Sequence, residues 1–423
     1  MKKGTYIRPS REKVHCAGMK RLLGKSQKEK YITGRRSLFP RTVKVLVLAV
    51  LMLFRETVVF GQESDKDLDL YARSALLMDA SNGRVLYEEN GYAIMPMAST
   101  TKIMTCILAL EYGNLEDTVT VSSYAASMPK VKLYLKAGEQ YRLGDLLYSL
   151  MLQSHNDSAV AVAEHIGGSV EGFAALMNQK ARDLGCTDTT FVTPNGLDGV
   201  NAAGEAHSTT AYDMAKIASY AIQNEQFREI ITTRSYSFSS IKGGRSFTVN
   251  NADAFLDMMP GAIGIKTGYT GEAGYCFVGA LEDNGRTYVS VVLACGWPPN
   301  KSYKWHDTKL LMAYGLDNFD YRNIEVQHEV SDMPVIQGQE ACVGLTVEAE
   351  DFSVLLAEGE RIRWKRELPQ SMEAPIEAGT VAGYDKYYIE GTLYRTYPIY
   401  TTESVKRIDY PYCLNRILEK ILL

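Results

Sequence analysis

Strand-forming segments lie at both ends of a long helical block in this chain, and that order leaves few folds open to it. Residues 74–90, "SALLMDASNGRVLYEEN", alternate around Asn82-Gly83, the strongest short hairpin signal. Three more strand-like runs come much later: "GAIGIKTGY", "GYCFVGALE" and "RTYVSVVLACG", the last two joined at Asp283-Asn284-Gly285. Between the two groups the periodicity is helical. After Pro96, apolar residues recur at Ile103, Met104, Ile107, Leu108 and Leu110 up to Gly113. "LGDLLYSLMLQ", "SAVAVAEHIGG", with Asp157 placed to cap it, and "EGFAALMNQKARDLG" follow. "TAYDMAKIASYAI" opens with a capping box from Thr210 to Asp213. "SYSFSS" and "SFTVN" read as a hairpin, and "YKWHDTKLLMAYG" as a closing helix. An early hairpin must pair with strands to bury its apolar face. The reading is therefore α+β: an antiparallel sheet flanked by helices, with a helical lobe inserted between its strands.

The two ends of the chain differ in texture. Residues 1–44 are rich in Lys and Arg and run into "VKVLVLAVLMLF", about the length of a signal-peptide core and too short to span a bilayer. With Gly61 as a small residue before a cleavage point, this predicts export. From about residue 325, short alternating runs such as "ACVGLTVEAE", "FSVLLAE" and "KYYIEGTLYRTYPIY" predict a small all-β domain. The chain closes on "LNRILEKILL", where Leu414, Ile417, Leu418, Ile421 and Leu422 share a helical face opposite Arg416, Glu419 and Lys420. A formal net charge of -4 offers nothing in bulk to nucleic acid. The 7 cysteines show no CxxC pair and no metal-ligand spacing, and they read as small buried hydrophobes.

"PMASTTKIMT", residues 96–105, carries the chemistry. It places Ser99 and Lys102 one helical turn apart at the start of an apolar run. A serine hydroxyl needs a neighbouring base to become a nucleophile. Lysine supplies one only where desolvation or a second cation lowers its pKa from about 10.4, each unit costing about 1.4 kcal/mol. Ser-x-x-Lys also occurs at Ser10/Lys13, Ser127/Lys130 and Ser239/Lys242, but only Ser99 has a helix to hold the pair together. Two unique motifs add to it. Ser154-His155-Asn156 falls at a break between helices, and Lys266-Thr267-Gly268 ends a strand, with Gly268 and Tyr269 letting backbone approach a ligand closely. His155 points away if its neighbours point inward, and His207 reads as an organiser of the cleft wall.

The trio SxxK, SxN, KTG, on helix, loop and strand, resembles the penicillin-recognising serine enzymes. "SHNDSAVAVAEHIGG", "TPNGLDG" followed by His207 and "STTAYDMAKIA", and "GIKTGYTGEAGYCFV" are similar to the low-molecular-mass D-alanyl-D-alanine carboxypeptidases, over roughly residues 70–320. The resemblance implies a β-lactamase/transpeptidase-like catalytic domain at 63–322. A basic leader and signal peptide at 1–62 precede it, and an all-β domain at 323–402 and an amphipathic tail at 403–423 follow.

It further implies that Ser99 attacks the carbonyl between the last two D-alanines of a peptidoglycan stem peptide while Lys102 takes the proton. Ser154 relays that proton to the departing nitrogen and Asn156 holds the peptide backbone. Lys266 and Thr267 bind the terminal carboxylate, and the N–H groups of Ser99 and Tyr269 form the oxyanion hole. No metal or cofactor is implied; β-lactams are the expected covalent inhibitors, and the outer face of the bacterial cytoplasmic membrane or the cell wall is the expected location. Some relatives have a downstream arginine for the carboxylate, whereas "CGWPPNKSYKW" offers only Lys301 or Lys304. The tail helix is the expected contact with a membrane surface. Two rivals share the motifs: a class A-like β-lactamase, which needs a deacylating glutamate that "TPNGLDG" lacks, and a non-catalytic penicillin-binding sensor or scaffold.

Overall fold

The computed structural model describes residues 68–422; the leader, the apolar run and the expected cleavage region lie outside the described residues. The early hairpin, β1 (Ser74–Asp79) and β2 (Val85–Glu89), joins β3 (Ala262–Thr270), β4 (Gly274–Asp283) and β5 (Arg286–Leu293) in one five-stranded sheet. The order is β2-β1-β5-β4-β3, and every neighbouring pair is antiparallel. Ser74 pairs with Leu293 and Asp79 with Tyr288, so the sheet closes across the whole inserted lobe. Asn284 and Gly285 both take positive φ, 48° and 80°, as a tight turn of matching twist requires.

Side chains alternate across a strand, and here both faces are covered. Leu76, Met78, Val289 and Val291 pack with the helical lobe, including Ile103, Met104 and Leu108 of α1 (Lys102–Tyr112). Ala75, Leu77, Tyr288 and Val292 pack beneath Leu311 and Met312 of the closing helix Tyr303–Asn318. Double coverage explains why these strands read as unbroken apolar runs. The lobe continues through α2 (Leu143–Leu152), α3 (Asn156–Gly167), α4 (Val170–Asp183) and α5 (Ala211–Ala221). Thr210 caps α5 as expected, its side chain accepting from the Asp213 N–H at 3.0 Å. Asp157 departs from expectation. It lies inside the first turn of α3, behind His155 as the N-terminal flanking residue, and its carboxylate reaches back to another loop.

From the closing helix to Thr401 the regular structure is β. Phe319–Ile324 pairs with Phe352–Ala357, and a four-stranded antiparallel sheet joins Leu345–Val347, Thr392–Thr401, Val381–Ile389 and Ile362–Glu367. This part leans on the first sheet through the Arg84–Glu360 ion pair and through Arg286 Nη1, which donates to the Phe319 carbonyl at 2.8 Å. The helix Tyr410–Leu422 buries none of its residues, and Ile421 is 73% and Leu422 85% exposed. Among the described residues no helix is long and apolar enough to cross a membrane.

Candidate active site

The site is built around a strained turn. Ala98 takes φ 48°, and a single 3-10 turn, Ala98–Thr101, leads into α1 at Lys102. Two threonines hold that turn: Thr100 Oγ1 donates to the Met97 carbonyl at 2.6 Å and Thr101 Oγ1 to the Ala98 carbonyl at 2.8 Å. Backbone closes in from two sides. A Cβ on Gly196 would lie 2.0 Å from the Ala98 carbonyl oxygen, and one on Gly268 would lie 3.0 Å from the Ser99 nitrogen. At Gly196, which also takes φ +82°, only glycine permits the approach, and at Gly268 a side chain would press on the turn.

Lys102 is fully buried, and its Nζ lies 2.9 Å from Ser99 Oγ, 3.0 Å from Asn156 Oδ1 and 2.5 Å from the Asn195 carbonyl oxygen. Two of these oxygens only accept. The Asn156 amide is oriented by its own Nδ2, which donates to the Pro129 carbonyl at 3.3 Å. A neutral amine has two N–H donors and one lone pair. Those donors match the two amide oxygens and the lone pair matches the Ser99 hydroxyl, so an uncharged Lys102 is fully satisfied. Burial first, and then the charge of Lys266, hold the Lys102 ammonium well below the usual lysine range; Asp157 pulls the other way.

α3 delivers Asn156 and fastens its surroundings. Asp157 Oδ1 accepts from the Leu133 N–H at 2.9 Å and Oδ2 from the Leu135 N–H at 3.0 Å, while the Asn156 N–H donates to the Val131 carbonyl at 2.8 Å. Ser154 takes φ 63°, and its Oγ is buried without a hydrogen-bond partner. His155 turns away from Lys102 and hydrogen-bonds Ser149 Oγ at 2.8 Å; burial drops its pKa to about 4.

His207 joins two walls. Its Nδ1 accepts from the Val192 N–H at 2.9 Å, which leaves Nε2 to donate to Thr101 Oγ1 at 2.7 Å. The imidazole thus ties the loop carrying Asn195 and Gly196 to the turn carrying Ser99, and burial holds it neutral with a pKa of about 4.

β3 is the free edge of the sheet among the described residues, and it presents Lys266, Thr267, Gly268 and Tyr269. Lys266 is buried, donates to the Thr267 carbonyl at 3.0 Å, and is pushed down to about 7 by burial. Lys301 is exposed. Lys304 is buried, its Nζ 4.8 Å from the Tyr275 ring centre and 4.7 Å from that of Trp305, and it is close enough to Lys266 to lower that residue's pKa.

Residues 61–296 match the D-alanyl-D-alanine carboxypeptidase family, and residues 321–407 match the C-terminal domain of penicillin-binding protein 5. The chain belongs to the D-alanyl-D-alanine carboxypeptidases. It is a serine hydrolase of the low-molecular-mass penicillin-binding type. D-alanyl-D-alanine carboxypeptidase DacF of Bacillus subtilis (strain 168) is 29% identical over 390 residues, spanning 89% of this chain and 98% of its own. The crystal structure of penicillin-binding protein 5 from Haemophilus influenzae superposes with a TM-score of 0.66 at 28% identity, covering 80% of this chain and 99% of its own. Penicillin-binding protein D2 of Listeria monocytogenes, solved in an ampicillin-bound form, superposes at 0.51 with 29% identity, covering 59% of this chain and 99% of its own.

Several groups around this candidate site were not singled out by sequence. Asn195 contributes a backbone carbonyl, which any residue type offers; the only trace is the Pro194-Asn195-Gly196 turn signature. Asp157, which follows the SxN motif directly, was read as a cap. Asp253, in the loop before the 3-10 turn Ala254–Asp257, is buried with Oδ2 unpaired, and nothing in its sequence neighbourhood marks it.

Proposed function

We propose that this carboxypeptidase removes the terminal D-alanine from peptidoglycan stem pentapeptides through an acyl-enzyme on Ser99. Ser99 Oγ attacks the carbonyl carbon between the last two D-alanines as Lys102 accepts the hydroxyl proton. The N–H groups of Ser99 and Tyr269 stabilise the oxyanion. Collapse breaks the peptide bond, Ser154 passes the proton to the departing D-alanine nitrogen, and water then hydrolyses the ester and restores Ser99. Asn156 holds the peptide backbone. Lys266 and Thr267 bind the terminal carboxylate, with Lys304 as a second cation behind them. A β-lactam enters by the same attack; its ring nitrogen stays tethered after opening, so the adduct persists.

One observation carries this reading: a fully buried Lys102 amine 2.9 Å from Ser99 Oγ, with burial and the charge of Lys266 both opposing its protonation. The ampicillin-bound form of the Listeria relative supports the β-lactam step. Action on stem peptides places the enzyme outside the cytoplasm, and the exposed apolar face of the Tyr410–Leu422 helix is its contact with the outer surface of the membrane. Mass spectrometry after penicillin treatment tests the nucleophile: the adduct belongs on the peptide containing Ser99. D-alanine release from a pentapeptide ending in D-Ala-D-Ala tests the substrate, and penicillin labelling without release would leave only a binding role. Deleting residues 405–423 is expected to move the protein from membrane to soluble fractions.

A further inference from the structure

Lys266 and Gly268 share one face of β3 by strand alternation, and Gly264, at φ +94° beside an irregularity in the register with β4, precedes Lys266 by two residues. The two glycines show what lies at either end of this stretch. A Cβ on Gly268 would lie 3.0 Å from the Ser99 nitrogen, and one on Gly264 would lie 3.1 Å from Asp253 Oδ2. Lys266 therefore sits between the nucleophile turn and a buried carboxylate. Asp253 Oδ1 accepts from the Phe255 N–H at 2.9 Å, which fixes the side chain, while Oδ2 is buried with no hydrogen-bond partner. A buried carboxylate oxygen is costly to leave unpaired, so its neighbours must repay it electrostatically. A Cβ at residue 264 would crowd that oxygen, and φ +94° there favours glycine.

We propose that Asp253 is a positioning residue that acts through charge, keeping the Lys266 ammonium protonated for the terminal carboxylate of the substrate. The proposal rests on the carboxylate-binding role given to Lys266 above. Three cations face Asp253: Lys266 from β3, Lys304 from the closing helix and Arg234 from the loop ahead of Ser235–Ser239, the last already paired with Asp257 at 2.8 Å. Lys266 faces Asp253, Lys304, Lys102 and the buried, neutral His155. Burial drives Asp253 up and Lys266 down, each to about 7, and each is pulled back by the other's charge. Without that charge, Lys266 would keep the repulsion of Lys304 and lose the carboxylate that offsets it. It would then give up its proton at a lower pH, where the substrate needs it charged.

Asp253→Asn keeps an oxygen for the Phe255 N–H and removes the charge. Lysine carrying 13C at Cε, with the Lys266 signal assigned by its loss in Lys266→Met, reads the charge directly. The Lys266 midpoint is expected to fall by about one pH unit or more in Asp253→Asn. With an acyl-D-Ala-D-Ala peptide, KM is expected to rise ~10-fold at pH 8 and much less at pH 6, while kcat changes little. The corresponding C-terminal amide should show no such change. An unmoved Lys266 midpoint, or equal KM increases for acid and amide, overturns the proposal. Asp253→Ser, whose hydroxyl can still accept from Phe255, serves if the asparagine variant does not fold. If the wild-type enzyme releases no D-alanine, the functional reading fails, yet the Lys266 titration still decides the role of Asp253.

Discussion

Replacing Thr101 with valine isolates the link between the cleft wall and the nucleophile turn. The Thr101 hydroxyl accepts from His207 Nε2 at 2.7 Å and donates to the Ala98 carbonyl at 2.8 Å, and all three residues are buried. Valine has nearly the same shape and neither hydrogen bond. It leaves two buried polar groups unpaired, each worth about 1–3 kcal/mol, so the loss is roughly 2–6 kcal/mol before relaxation. For a catalytic domain of this size, that is a fall in melting temperature of order 10 °C. The chemistry should suffer more than the fold. Ala98 is held at φ 48°, so a loosened turn moves the Ser99 N–H and Oγ together. Displacements of that kind cost on the order of 100-fold in rate. Thr101→Ser is the control: it keeps the hydroxyl and removes one methyl group, about 1 kcal/mol. The assays are thermal unfolding and the second-order rate of penicillin acylation. If the valine variant matches the serine variant in both, the hydroxyl is not what joins the two walls and the argument fails.

The buried histidines set an acid limit on stability. Both His155 and His207 have folded pKa values of about 4 against an ordinary 6.5, so the unfolded chain binds more protons between those values. Stability should therefore rise from pH 4 to 6.5, each histidine contributing up to about 3 kcal/mol; denaturant midpoints that stay flat across this interval contradict it. Asp157→Asn offers one acceptor where the loop needs two, leaving Leu133 or Leu135 N–H unpaired at a cost of about 1–3 kcal/mol. Hydrogen exchange should quicken across residues 129–135, and unchanged protection there would remove Asp157 as the clamp. Gly196→Ala puts a methyl group 2.0 Å from the Ala98 carbonyl at φ +82°. Penicillin labelling should be lost while far-UV circular dichroism is kept, and normal labelling would show that the turn yields more easily than its packing implies.

Much of the fold was legible because its logic is local. β1, β4 and β5 are covered on both faces, so burial wrote them as apolar runs, and Asn284-Gly285 supplied the turn between the last two. Ser99 and Lys102 were legible because a helix makes spacing into proximity. What escaped were long-range contacts made by backbone or by residues with a bland local reading. The oxygen nearest Lys102 is a main-chain carbonyl at Asn195, and no side-chain pattern announces a carbonyl. Asp157 at the start of α3 reads as a helix cap, and its Oδ1 does accept from the Ser158 N–H at 3.0 Å, yet both carboxylate oxygens also take N–H groups of another loop, Leu133 and Leu135. A local rule names a donor that is available, and tertiary structure offers others that bind better.

The two lysines show the same point in terms of charge. Lys102 and Lys266 are identical side chains, both buried, and both shifted downward first by desolvation. The proposed chemistry needs them in opposite states, one neutral to accept a proton and one charged to hold a carboxylate. Their partners divide them. Lys102 is held by two amide oxygens and a hydroxyl, none of them charged, and the charge of Lys266 opposes its protonation. Lys266 has Asp253 as its largest source of opposing charge, and a carboxylate favours the ammonium. Each state then supports the other, because a charged Lys266 raises the cost of charging Lys102, and a neutral Lys102 adds no repulsion to Lys266. It follows that Lys266→Met should raise the pKa of Lys102 and move the acid limb of penicillin acylation to higher pH. An acid limb that stays in place would mean that burial alone keeps Lys102 neutral.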